Sequence, residues 1–249
     1  MHNQNVDLQL VLCPVRDPEI KYRSLFQKIY SCWHQVWTAA YGEAKHHQDH
    51  EDLKSDSFTR QDFVAAIFHN NECIAFILFR HADASLVTTQ DDSFFTQWSE
   101  IHRKAAAKIG QRLLICGNLG VLPTFRQKSL GVSLKDLMGG VISEITLQSN
   151  ADATLATPRR DRNVHGAAYK WGAVPIAQDI SWGFGIQIDL ISFHKANLLK
   201  HRDHELRPLI DELWQNKIVV NENIFESIEK FKHTAPYSLQ NIKFSKKTG

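Results

Sequence analysis

The chain lacks most of the features that assign a protein at a glance. No apolar run approaches the roughly 20 residues needed to cross a bilayer, so no membrane insertion is expected. The opening Met1-His2-Asn3-Gln4-Asn5 has no apolar signal-peptide core, which makes cytoplasmic residence the default expectation. Cysteine is sparse: Cys13, Cys32, Cys73 and Cys116 are scattered and form no C-x-x-C pair. That argues against a zinc knuckle or redox motif and for buried thiols acting as small hydrophobes. A formal charge of +2 leaves no broad excess of either sign. With no recognisable nucleic-acid motif, that class of partner is not expected, and any basic site must be local. Internal repeats and low-complexity tracts are also absent.

What remains is an ordinary globular composition, 43% hydrophobic and 22% charged over 249 residues. That length suits one large domain or a domain with an appendage. Val6–Val15 is rich in Val and Leu and predicts a first strand. From Pro18 to Tyr41 the apolar residues Tyr22, Leu25, Phe26, Ile29, Trp33, Val36 and Trp37 recur at three- and four-residue steps, an amphipathic helix. Two apolar runs, 62–69 and 73–80, flank Asn70-Asn71-Glu72 and predict an antiparallel hairpin covered on both faces. A loop over 83–95, a helix over 95–109 and a fourth strand over 112–121 follow. Next comes a helix with Leu130, Leu134, Leu137, Met138, Val141 and Ile145 on one face. A strand over 153–157, a short helix over 163–170, and strands over 174–180 and 184–193 complete the pattern. After His194 the character changes: an amphipathic helix around Leu206–Trp214, a second around Phe225–Phe231, then a basic tail. The expected division is therefore a domain over 1–194 and a helical extension over 195–249 packed on it.

The richest segment is Asn118 to Leu134, an apolar strand that breaks at Pro123, crosses a basic turn and enters a helix. Such turns aim backbone N–H groups without intrahelical partners at one point, where the helix dipole also favours an anion. Arg126 and Lys128 add positive charge, and Gly131 with small Ser129 permits close approach to the backbone. The residues read as a phosphate cradle.

Arg126-x-x-Ser129-x-Gly131 resembles the (Gln/Arg)-x-x-Gly-x-(Gly/Ala) signature of the GCN5-related N-acetyltransferases, the GNAT superfamily, with Ser129 in place of the first glycine. Val121, Pro123 and Arg126 fall on that family's usual approach to the loop. A second segment, Asn163 to Ala173, resembles its later signature, although Tyr169 stands three residues before Gly172 rather than four. The resemblance covers about residues 6–193. It implies an α/β fold with a mixed, mostly antiparallel twisted sheet of about seven strands flanked by helices. It further implies that strands four and five splay apart at a β-bulge. Leu119, Gly120, Val121, Arg126, Gln127, Lys128, Ser129, Leu130, Gly131, Val132 and Asn163 would bind acetyl-CoA or another acyl-CoA as co-substrate. Tyr169 would be the general acid, with Asn118 a second catalytic candidate and no metal involved.

The expected activity is N-acyl transfer, acetyl by default, from acyl-CoA to a primary amine on a small molecule or peptide. An alternative keeps the fold and takes a long acyl chain, from acyl-CoA or acyl carrier protein, as N-acyl amino acid and autoinducer synthases do. A third is a catalytically degenerate acyl-CoA-binding protein. No carboxylate stands on strand four, so His69, Glu72 and His81 are the candidate bases, with a water chain as the other option. His46, His47, Asp49 and His50 form a polar cluster read as solvated rather than metal-binding. Arg159, Arg160 and Arg162 are candidates for the coenzyme's 3′-phosphate or a substrate carboxylate, with a solvated basic loop as the equal alternative.

Overall fold

One eight-stranded sheet organises the chain in a computed structural model that describes residues 7–16, 18–44, 53–127, 130–182, 185–201, 203–221 and 224. The strands are β1 (Leu8–Pro14), β2 (Phe63–His69), β3 (Glu72–Asp83), β4 (Arg112–Val121), β5 (Ala153–Ala156), β6 (Val174–Trp182), β7 (Ile186–His194) and β8 (Ile218–Val219). They lie in the order β6-β7-β5-β4-β3-β2-β1-β8. Only β4–β5 and β1–β8 pair in parallel. The expected mixed, mostly antiparallel sheet is present, with eight strands rather than about seven. The helices are α1 (Arg23–Ala44), α2 (Asp56–Thr59), α3 (Val87–Gln90), α4 (Ser93–Thr96), α5 (Glu100–Ala107), α6 (Leu134–Gln148), α7 (Val164–Lys170), α8 (Lys195–Leu198) and α9 (Arg207–Gln215).

The apolar spacing explains the layers. Helix α1 buries Ile29, Cys32, Trp33 and Val36, one stripe at helical spacing, and packs on β3 and β4. Helix α6 packs on β3, β4, β5 and β7. With both layers in place, Phe63–Phe68 and Cys73–Phe79 are buried at every position. The β2–β3 turn is two residues, Asn70 and Asn71, with φ of 48° and 64°. Both positive values fit the twist of the hairpin, and asparagine tolerates them better than most side chains.

Three sequence expectations change. The helix expected over 95–109 is broken into α4 and α5, with α3 in the expected loop, because Asp92 and Ser99 each cap a new helix start. Arg80 fixes that break through an ion pair to Asp92. Helix α6 starts at Leu134, not before Leu130. Gly131 has φ of +75°, and extended Ser133 accepts the Asp136 N–H at 3.3 Å as the cap. The region after His194 is not purely helical. Helix α9 packs on α6 and β1, and β8 extends the sheet beside β1. A buried ion pair, Arg207 Nη2 to Glu144 Oε2 at 2.7 Å, fastens α9 to α6. The helix expected around Phe225–Phe231 and the His46–His50 cluster lie outside the described residues.

Candidate active site

The site begins with one extra residue in β4. Phe76 pairs with Gly120 and Leu78 with Gly117, so Ile77 alone faces both Asn118 and Leu119. This is a β-bulge, and Asn118 takes its strained position with φ of 53°. Strand β5 pairs with β4 only from Leu113 to Cys116. Beyond Cys116 the two strands part, and the bulged end of β4 borders a gap whose other wall is the chain after Ala156.

A narrow cavity of about 320 Å³ occupies that gap. Its walls include Ile77, Ile142, Ile191 and Phe193, with the small side chains of Ala156, Ala167 and Ala168 between them. Cys116 and Asn118 line it from β4. Burial pushes the Cys116 thiol up to about 12, so it stays protonated at neutral pH. Among the described residues, no Asp, Glu or His lines this cavity.

A wider cavity of about 800 Å³ adjoins it at the N-terminus of α6. Ser133, Leu134, Lys135 and Asp136 line it, so the first turn of the helix borders an open space. Five cationic side chains (Arg126, Lys135, Arg159, Arg162 and Lys170) line it against two carboxylates, Asp136 and Asp161. It is a local basic site in a chain whose overall formal charge is only +2. Arg159 bonds Asp161 through Nε at 3.0 Å, and Lys135 Nζ donates to the Arg162 carbonyl at 3.0 Å. Trp37, Leu119, Lys135, Arg159 and Val164 line both cavities and therefore ring their junction.

A polar network holds the far wall. Asp189 on β7 is fully buried, yet all its partners are charged or polar. It accepts from Tyr169 Oη at 2.6 Å, from Arg160 Nη1 at 2.9 and 3.0 Å, and from the Asp179 N–H at 2.9 Å. Burial alone would raise the Asp189 carboxyl; the Tyr169 hydroxyl, the Asp179 amide and Arg160 together hold it below the usual range. Burial and the adjacent carboxylate push the Tyr169 hydroxyl up to about 12. Arg160 also reaches Asp179 at 2.8 Å, and Asp179 adopts φ of 54° to present its amide.

The expected site residues divide accordingly. Leu119, Gly120, Val121, Arg126 and Asn163 line the wider cavity, and Asn118 the narrow one. Gln127, Leu130, Gly131, Val132 and Tyr169 line neither, while Lys128 and Ser129 lie outside the described residues. Nor do the candidate bases: His69 Nδ1 lies 2.9 Å from the Asp7 carbonyl, His81 Nδ1 lies 3.1 Å from Asp62, and Glu72 is exposed. Of the three arginines, Arg159 and Arg162 face the wider cavity and Arg160 serves Asp189. Sequence reasoning missed Lys135 and Asp189. Both carried a signal: a cation in the first turn of a helix opposes the dipole, and a carboxylate interrupts the apolar run Ile188-Asp189-Leu190.

Strand order, the β4 bulge and the parallel β4–β5 pair that opens beyond Cys116 define the acyl-CoA N-acyltransferase fold, the GNAT fold. Solved structures agree at low sequence identity. FeeM, an N-acyl amino acid synthase from uncultured soil microbes, matches with a TM-score of 0.52 at 10% identity, over 84% of this chain and 100% of that one. BjaI, a CoA-dependent acyl-homoserine lactone synthase solved with SAM and isopentyl-CoA, matches with 0.52 at 10%, over 86% and 92%. TofI, solved with an inhibitor and MTA, matches with 0.50 at 12%, over 81% and 99%. No protein-family model and no curated protein sequence matches the chain.

Proposed function

We propose that this chain is an acyltransferase that moves an acyl group from a pantetheine thioester to a primary amine by direct attack on the thioester. The observation that carries this reading is the pair of joined cavities at the β4 bulge, one cationic and set at a helix N-terminus, the other smaller and largely apolar. The α6 N–H groups and the surrounding cations suit a diphosphate. Pantetheine would run along Leu119 to Val121, which brings its thioester to the junction. The bulge frees backbone donors there for the oxyanion that forms when the amine attacks. Alignment of the two reactants supplies much of the remaining rate. With no carboxylate or histidine lining the narrow cavity among the described residues, water is the base in this reading.

The narrow cavity supports a donor longer than acetyl. Its volume is at the small end for ligand sites, and its walls are largely apolar. An acetyl group would leave most of that wall uncovered, whereas each added methylene buried there contributes about 0.8 kcal/mol. We therefore favour the long-chain alternative, with a substrate class like that named for FeeM or BjaI, over acetyl transfer. Coenzyme A is the default carrier; an acyl carrier protein presents the same phosphopantetheine arm. The acyl-CoA-binding reading without turnover is favoured by one observation: the Tyr169 hydroxyl is committed to Asp189 and lines neither cavity.

Thermal unfolding with free CoA, acetyl-CoA, octanoyl-CoA and ATP tests the reading. Ligand at a hundredfold excess over its Kd stabilises by about 2.7 kcal/mol, about 5–10 °C for a chain of this size. The expected order is octanoyl-CoA above acetyl-CoA and CoA, with ATP least. Equal shifts for all CoA species would remove the acyl-chain assignment, and no shift with any would remove the CoA assignment.

A further inference from the structure

We propose that Lys135 is a catalytic residue, the cation that faces the thioester sulfur and carries its charge as the thiolate leaves. The inference rests on the acyl-transfer reading above and goes beyond it by naming the group that serves the leaving atom. If diphosphate sits in the wider cavity and the acyl chain in the narrow one, the thioester lies where the two meet. Among the described residues, Lys135 and Arg159 are the two cationic side chains that line both cavities. Arg159 is held in a two-point bond to Asp161 within its own loop. Among the described residues, Lys135 has one bond, from Nζ to the Arg162 carbonyl at 3.0 Å on the wider-cavity side.

Its position is also unfavourable without an anion. Lys135 is the second residue of α6, where the helix dipole is positive and a cation is disfavoured. An anion between the helix N-terminus and the ammonium reverses that sign. The neutral carbonyl that Lys135 now meets is a weak partner, and a thiolate is a full charge. Tyr169, the residue expected from the family resemblance to protonate sulfur, lines neither cavity. The balance of the step is simple. The amine nitrogen bonds to the carbonyl carbon, the carbon–sulfur bond breaks with its electron pair on sulfur, and Lys135 holds that thiolate as an ion pair. The proton lost by the attacking nitrogen ends on sulfur through water, giving amide and free thiol.

The test needs no knowledge of the natural acceptor. Free CoA is bound to the full chain, and its thiolate absorbance is followed against pH as a difference from protein alone. An opposite charge within about 4–6 Å lowers a pKa by about 1–3 units. The bound thiol should therefore ionise at least about one pH unit below free CoA in the wild-type protein. Lys135→Met should abolish that shift, and Lys135→Arg, which keeps the charge, should retain most of it. A role confined to tethering the 158–163 loop would change the melting temperature and leave the thiol pKa alone. The second readout is hydroxamate formation from octanoyl-CoA with hydroxylamine as acceptor. Here Lys135→Met should lower kcat about a hundredfold, with KM for the donor changed only a few-fold. CoA that binds with an unshifted thiol, or a Lys135→Met variant that raises KM alone, would overturn the proposal while leaving the acyl-transfer reading intact. No CoA binding by the wild-type protein would overturn the reading beneath it.

Discussion

The two flanks of the gap beside β4 are held by different forces. On the β1–β4 flank, β2 and β3 are buried and apolar residue after residue, from Phe63 to Phe68 and from Cys73 to Phe79. On the β5–β7 flank the strands are also apolar, but one buried carboxylate, Asp189, stands among them and accepts directional bonds from Tyr169, Arg160 and the Asp179 amide. Apolar burial is non-directional and tolerates repacking at constant volume. A buried charge with fixed partners does not, because removing one partner leaves the carboxylate without a bond that its geometry requires. The first flank is a platform, and the second sets the position of the 158–163 loop that forms the cavity wall.

The sharpest way to break that contrast is Asp189→Ala. It strands the half-buried Tyr169 hydroxyl and Arg160 Nη1, and should cost about 2–3 kcal/mol, the range for losing hydrogen bonds to a charged acceptor. Chemical denaturation measures it, and a loss no larger than that of Ile67→Val on the other flank, about 1 kcal/mol, would erase the distinction.

Gly120→Ala probes the platform where it meets the cavity. An added Cβ would stand 2.1 Å from the Phe76 ring. The forced repacking should cost about 1–3 kcal/mol and disturb the strand on which pantetheine would lie, which melting curves with and without CoA separate.

Ala156→Leu fills the narrow cavity from its floor strand. Stability should change little, while the preference for octanoyl-CoA over acetyl-CoA falls by about 0.8 kcal/mol for each methylene displaced. Titration calorimetry with both donors reads it.

Tyr169→Phe should give the smallest effect on turnover. A general acid contributes about 10²–10⁴-fold, so a kcat within about tenfold of wild type agrees with a hydroxyl committed to Asp189. A larger loss would restore Tyr169 as the proton donor.

Acid stability sharpens the same comparison. Asp189 has a folded pKa below its unfolded value of about 3.9. Its contribution is therefore complete above that value and is lost as pH falls through the lower, folded pKa. The Asp189→Asn variant should lose part of the wild-type decline in stability below about pH 4.

How much of this was legible in the sequence depends on the range of each interaction. Strand β1, helix α1, the β2–β3 hairpin and β4 follow from local periodicity, and the Asn70-Asn71 turn from local backbone chemistry. The start of α6 did not, because the apolar spacing runs through Leu130 while Gly131 and Ser133 deny those residues helical geometry. Strand β8 is two residues long and exists only through its pairing with β1. The Asp189 network joins residues 10, 20 and 29 positions apart, so no local pattern announces it. The cavities were the least legible part, since their walls come from α1, β3, β4, α6, α7 and β7 at once.

A crystal structure with octanoyl-CoA tests the central claim most directly. The account predicts the diphosphate against Ser133–Asp136, the sulfur beside Lys135 at the junction, and the acyl chain in the gap between β4 and the chain after Ala156. An acyl chain lying outside that gap, or a diphosphate bound away from the α6 N-terminus, would contradict it.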